Sequence, residues 1–199
     1  SCTQLRTAAL PETLQTIEGN AFSGCSALET VEPFLPTSVN SIGLGAFQNC
    51  ANLKQNLALT NKNPILLYHN NNNNANAFYG SGIVSADLSG NVPMLRNGTF
   101  YGCTNLGSVV LSESLTNIEA YAVAGATALT NLYFLGDCPT TINSTFLSSV
   151  PNYQARVFIP RAREGWEAYR AANMPAPTEA ELVTFQTKYP DATPLPIGV

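Results

Sequence analysis

The sequence predicts a repeat solenoid of the α/β class, an array of short parallel strands stacked unit on unit and closed at its C-terminal end by helices. Three observations predict it. The stretch Ala21-Phe22-Ser23-Gly24-Cys25-Ser26-Ala27-Leu28-Glu29-Thr30-Val31 returns almost place for place as Thr99-Phe100-Tyr101-Gly102-Cys103-Thr104-Asn105-Leu106-Gly107-Ser108-Val109. Its first eight places return as Ala46-Phe47-Gln48-Asn49-Cys50-Ala51-Asn52-Leu53. Beyond Pro160 the pattern stops and helix formers take over. Repeats with periods of about 20 to 50 residues belong to architectures in which each unit hides its apolar side against the next. The chain therefore divides into a solenoid of about six units over residues 1–160 and cap helices with a tail over 161–199.

With Phe22 as marker, the equivalents are Phe47, Phe78, Phe100, Val123 and Phe146, separated by 25, 31, 22, 23 and 23 residues. The long spacing predicts a loop insertion near residues 60–76, around the tract Asn70 to Asn74, which has no apolar side chain to pack.

Each unit reads in two halves. The first carries Leu-x-x-Val-x-Leu/Phe (Leu28, Val31; Leu106, Val109, Leu111; Leu129, Leu132, Phe134), and its closing alternation suits a short strand with one buried face. A turn rich in Pro, Ser, Glu or Thr follows, as at Leu35-Pro36-Thr37-Ser38. Next comes a step such as Leu14 to Ile17, Val39 to Ile42 or Leu115 to Ile118, which returns two apolar residues to the core. The Ala-Phe-x-Gly-Cys segment closes the unit, with Phe as bulky filler and Gly or Asn permitting a tight turn.

At the C-terminal end, residues 161–172 have helix propensity, and Trp166 and Tyr169 lie three apart on one helical face, placed to cover the open end of the core. Thr178-Glu179-Ala180-Glu181 reads as a capping-box start for a second helix carrying Leu182, Phe185 and Tyr189, and residues 190–199, with three prolines, read as extended.

Taken together the units read Ala-Phe-x-x-Cys-x-x-Leu-x-x-Val-x-Leu-Pro-x-x-Leu-x-x-Ile, which resembles the BspA-like (Treponema pallidum type) leucine-rich repeat family over about residues 2–160. Val157-Phe158-Ile159-Pro160 followed by a Trp/Tyr helix also resembles the ending of secreted members from Bacteroidetes. The resemblance implies a curved, right-handed leucine-rich-repeat solenoid with a parallel sheet, in a secreted or cell-surface bacterial protein of the adhesion or interaction kind. Ser81 and Ala126 stand where the pattern has Cys, and Val123 where it has Phe; these keep size or apolarity and leave the fold expectation intact.

Of the 199 residues 45 % are hydrophobic and 11 % charged, so the surface is finished largely by uncharged Ser, Thr, Asn and Gly. Residues 1–155 carry Arg6, Lys54, Lys62 and Arg96 against eight carboxylates, a balance that argues against a nucleic-acid partner, which needs a basic face. No apolar run reaches the ~18 residues of a membrane span. Cys2 and Leu5 hold the places of Cys25 and Leu28 without the preceding Ala-Phe, which reads as a repeat whose upstream part was cleaved or left out. A rival reading makes Cys2 a lipid anchor after a removed signal peptide, but the repeat register accounts for Cys2 without lipid.

Cys2, Cys25, Cys50 and Cys103 share one register, which predicts a buried column of free thiols serving as small hydrophobes. A Cys2–Cys25 bridge is the exception that neighbouring rungs would allow. Cys138 stands outside the column. His69, the lone histidine, has no partner at ligand spacing, and the acid pairs Glu29/Glu32 and Glu179/Glu181 lack apolar surroundings, so no catalytic, cofactor or metal residue is assigned. Asn97-Gly98-Thr99 and Asn143-Ser144-Thr145 match a glycosylation pattern that arises often by chance.

The candidate site comes from the strands. With Leu106, Val109 and Leu111 inward, the concave face carries Ser108 and Val110, then Asn131 and Tyr133, then Arg156 and Phe158. Val110, Tyr133 and Phe158 form a ladder with rungs ~4.8 Å apart, a contiguous apolar strip of the kind that marks a contact surface. The alternative covers that strip with the chain's own C-terminal segment. Two functions follow: a noncatalytic extracellular module that binds a protein or glycan, or a spacer that projects another domain.

Overall fold

The computed structural model of the chain describes residues 2–67, 76–151, 156–160, 165–166 and 192–196. They form a parallel-strand β-solenoid of about six turns, with three sides per turn.

The first side carries β1 (Thr7–Ala9), β3 (Thr30–Glu32), β5 (Asn56–Ala58), β7 (Ser85–Asp87), β9 (Ser108–Leu111), β11 (Asn131–Phe134) and β13 (Arg156–Pro160). β1 pairs with β3, and β5, β7, β9, β11 and β13 pair in that order, all parallel. The alternation that predicted these strands places Val31, Leu57, Ala86, Val109, Leu132 and Val157 in the core, each at most 2 % exposed.

The second side is a ladder that the Leu-x-x-Ile step did not announce as strands. β2 (Thr16–Ile17), β4 (Ser41–Ile42) and β6 (Leu66–Leu67) form one parallel sheet, and β8 (Met94–Leu95), β10 (Asn117–Ile118) and β12 (Thr141–Ile142) another. Each strand has two residues, one outward and one facing inward, so Ile17, Ile42, Leu67, Leu95 and Ile118 stack as a column.

The third side holds the Ala-Phe-x-x-Cys turns, and it too is bonded from rung to rung. The N–H of Phe22, Phe47 and Phe100 donates to the carbonyl of Ala46, Ala77 and Ala122 at 2.7–2.8 Å, and that of Gly24, Asn49, Gly80 and Gly102 to Gln48, Tyr79, Tyr101 and Ala124 at 2.8–2.9 Å. Backbone groups at tight turns are thus satisfied by the neighbouring copy. Beneath them Phe22, Phe47, Phe78 and Phe100 form a stack with ring centroids 5.1, 5.5 and 5.5 Å apart.

One expected equivalence is corrected. The Val123 N–H donates to the Phe146 carbonyl and the Gly125 N–H to Ser148, so Leu147, not Phe146, holds the marker place in the sixth unit. Ser149 then takes the left-handed turn position (φ 62°) occupied elsewhere by Gly24, Asn49, Gly80, Gly102 and Gly125, and Val150 takes the cysteine place. Two adjacent apolar residues had made both frames acceptable to the pattern.

The expected helices over 161–172 and 178–189 lie outside the described residues, apart from Gly165 and Trp166, as do His69 and Asn70 to Asn74. Trp166 is 2 % exposed, sets its ring edgewise on Phe134 with centroids 4.6 Å apart, and donates Nε1–H to the Gly136 carbonyl at 3.0 Å. β14 (Ala192–Pro196) pairs antiparallel with β13, Phe158 opposite Pro194, so the extended tail adds a sixth strand to the long sheet.

Candidate binding face

Parallel register assembles the outward face of the long sheet from residues about 23 to 29 apart in sequence. One row runs Asn56, Ser85, Ser108, Asn131, Arg156, and the other Ala58, Asp87, Val110, Tyr133, Phe158. The six candidates Ser108, Val110, Asn131, Tyr133, Arg156 and Phe158 are therefore direct cross-strand neighbours on three adjacent strands.

The rows differ in chemistry along their length. At one end side chains are small and polar: the Ser85 hydroxyl donates to Asn56 Oδ1 at 2.7 Å, and Asp87 Oδ1 accepts from the Ser89 N–H at 2.9 Å. At the other end Tyr133 and Phe158 stack with centroids 4.6 Å apart and planes 15° from parallel. Arg156 is exposed, and Ser108, Val110, Asn131 and Tyr133 are half-buried. Phe158 is only 4 % exposed, so the open apolar strip expected from the sequence ends at Tyr133. The face is acidic at Asp87 and cationic at Arg156, with aromatic surface between.

The buried cysteines of the column serve packing. All five are free thiols, and Cys25, Cys50 and Cys103 are buried in their column while Cys2 is exposed. Cys50 donates its S–H to the Phe22 carbonyl and Cys103 to the Phe78 carbonyl, each at 3.0 Å. Ser81 takes the cysteine place in the same column: its hydroxyl lies 3.5 Å from Cys103 Sγ, and it is buried. Burial pushes both thiols up, Cys50 to about 12 and Cys103 to about 12, well away from the thiolate that a nucleophile or metal ligand needs.

Other candidate chemistry is engaged in structure. Glu29 pairs with Arg6 at 2.6 Å and Glu119 with Arg96 at 3.0 Å. The Thr99 hydroxyl donates to the Arg96 carbonyl at 2.8 Å, which locks that glycosylation triplet into a buried turn. Among the described residues no three His, Cys, Asp or Glu side chains gather where a metal could be held. No helix of the described residues is long and apolar enough to cross a membrane.

One aromatic group escaped the sequence reading. Tyr79 and Tyr101 stack at 5.3 Å on the turn side, and Tyr121 meets Tyr101 edgewise at 6.1 Å. Its sequence signal is that Tyr79 and Tyr101 each follow a marker phenylalanine by one place, outside the buried columns.

The family profile described as BspA type Leucine rich repeat region matches residues 1–69 and 63–154, in six copies. Among solved structures, a leucine-rich repeat protein from Bacteroides ovatus is 21 % identical over 75 % of this chain and 45 % of its own, with a TM-score of 0.46. A leucine rich cell surface protein from Faecalibacterium prausnitzii is 20 % identical over 74 % of this chain and 52 % of its own, with a TM-score of 0.34. The chain thus spans about half the length of these two proteins. No curated protein matches it.

Proposed function

Because the chain belongs to the BspA-type leucine-rich repeat family, we propose that it is a noncatalytic binding module, secreted or held at a bacterial cell surface, that presents the outward face of its long sheet to a protein or glycan. The observation that carries this reading is the cross-strand adjacency of Val110 and Tyr133, the latter stacked on buried Phe158, beside Ser108, Asn131 and exposed Arg156. A rigid parallel sheet holds these side chains with little freedom left to lose on binding, and an aromatic and an arginine side by side are the residue types that dominate contact energies. The surface favours recognition over chemistry: between Asp87 and Arg156 its polar atoms are neutral amides and hydroxyls, and the buried thiols Cys50 and Cys103 are protonated. Trp166 and β14 support a closed C-terminal end, with the remainder of 161–199 completing it as a helical cap.

The second reading, a spacer, draws on the small row Asn56, Ser85 and Ser108 and on the burial of Phe158. Surface plasmon resonance against extracellular-matrix proteins and mucin glycans separates the two. The module binds at least one of these, and Val110→Lys or Tyr133→Ser removes the signal with the melting temperature little changed. A spacer binds none of them.

A further inference from the structure

The turn side has the makings of a second binding surface, unrelated to the sheet face. We propose that Tyr79, Tyr101 and Tyr121 form a platform for an uncharged glycan chain lying along the solenoid axis. The three tyrosines come from successive turns: Tyr79 and Tyr101 each follow a marker phenylalanine by one place, so the rung spacing of a parallel array, ~5 Å, sets one above the other, and Tyr121, two places before Val123, reaches Tyr101 from the next turn. Tyr79 and Tyr101 stack at 5.3 Å with planes 12° apart, and Tyr121 stands at 80° to Tyr101, which makes the group a rigid object. Tyr101 is 38 % exposed, and among the described residues only it and Leu66 are large apolar side chains open to solvent.

Beside the rings the backbone is bare. Gly80, Gly102 and Gly125 sit at the left-handed turn place, φ 62°, 70° and 71°, and present no side chain there, and their N–H groups are consumed by bonds to the carbonyls of Tyr101, Ala124 and Ser148. A ligand on this shelf finds aromatic surface and neutral hydroxyls, with no competing backbone donor from those three glycines.

Charge narrows the ligand class. Residues 43–53, 76–86, 97–112 and 120–136, which supply this side of four successive turns, contain no Asp, Glu, Lys or Arg. The bordering charges Arg96 and Glu119 are paired with each other at 3.0 Å. An anionic polymer has no cation to meet here, and a cationic one no carboxylate. A protein interface would want exposed aliphatic or arginine anchors around the aromatics, and in these stretches no arginine occurs and no large aliphatic side chain is fully exposed. A neutral sugar chain meets both features at once, packing its C–H face on an aromatic ring and bonding its hydroxyls to tyrosine O–H and nearby amides such as exposed Asn105.

Affinity electrophoresis of the full chain in gels holding mannan, dextran, xyloglucan or galactan, with heparin and polygalacturonate as acidic controls, tests this. At least one neutral polymer retards the protein, added salt leaves the retardation unchanged, and the acidic polymers do nothing. Tyr101→Ala weakens the retardation about tenfold or more, whereas Tyr101→Phe, which keeps the stack and removes one hydroxyl, weakens it a few-fold. Tyr133→Ser, on the other face, leaves it intact. Absence of retardation by every neutral polymer, retardation that survives Tyr79→Ala combined with Tyr101→Ala, salt-sensitive binding to heparin, or loss in Tyr133→Ser would each overturn the proposal. Because Tyr133→Ser also tests the sheet face, failure here and failure there give different patterns.

Discussion

The side chain of Gln55 takes the place of a strand against Val31: the Val31 N–H donates to Gln55 Oε1 at 2.8 Å, and Gln55 Nε2 donates to the Val31 carbonyl at 3.1 Å. The cause lies in spacing. Leu28 and Val31, Leu106 and Val109, and Leu129 and Leu132 are three residues apart, but Leu53 and Leu57 are four apart. The extra residue pushes the backbone of the second unit out of register with β3, and a primary amide, which both donates and accepts, repairs the gap. The outer sheet is split there into β1–β3 and the longer array.

This repair predicts a cost on removal. Gln55→Ala leaves the N–H and carbonyl of fully buried Val31 unbonded and destabilises the chain by about 2 kcal/mol. Gln55→Glu performs no better at neutral pH, because a carboxylate accepts from the N–H but has nothing to donate to the carbonyl. Denaturant midpoints of the two variants against the parent measure the effect.

The third unit makes up the difference between its marker and its strand, since Phe78 and Ala86 lie eight apart where Phe22 and Val31 lie nine apart, and it does so through a close approach. Gly82 passes the second unit so tightly that a Cβ there would lie 2.2 Å from the Ala51 carbonyl oxygen and 2.9 Å from its carbon. Gly82→Ala therefore forces the two rungs apart and costs about 2 to 3 kcal/mol. The converse substitution, Ser149→Gly, relieves a serine held at φ 62° and stabilises by about 1 kcal/mol. Thermal or denaturant melts of both variants show opposite shifts.

The thiol column predicts chemistry and pH dependence. With Cys50 and Cys103 pushed up to about 12 from 9.0, exposed Cys2 reacts with a thiol reagent at pH 8 while these two remain unmodified until the protein unfolds. For stability the sign follows from which state holds the proton: between pH 9 and 12 the unfolded thiols have ionised and the folded ones have not. Their contribution is complete below pH 9 and is lost as pH rises toward 12, so an alkaline stability profile falls through that window and falls less in Cys103→Ala.

The phenylalanine stack carries much of the packing between turns. Phe78 is fully buried between Phe47 and Phe100 at 5.5 Å on each side, and Phe78→Ala costs about 3 to 5 kcal/mol. An equilibrium denaturation curve measures it.

The columns were legible in the sequence because a solenoid repeats its constraints: the same buried place recurs once per turn, so Leu, Val, Ile, Phe and Cys recur with it. The register that aligned Val110, Tyr133 and Phe158 followed from the same repetition. Features that break the repeat were harder to read. Phe146 and Leu147 are both apolar, and only the backbone bonding decides between them. Gln55 looks like any polar surface residue until its unit is seen to be one residue too long. The two-residue strands of the second side are too short for alternation to show, and the depth of Phe158 depends on packing that a strand pattern does not encode.

The central claim is that each copy is held by the next on all three sides, the turn side included, and residue-resolved native-state hydrogen exchange tests it most directly. The amides of Phe47, Asn49, Gly80, Gly102 and Gly125 are predicted to exchange as slowly as those of Val109 and Leu132 in the long sheet. Exchange of the turn-side amides at the rate of open loops, with the strands alone protected, would contradict it.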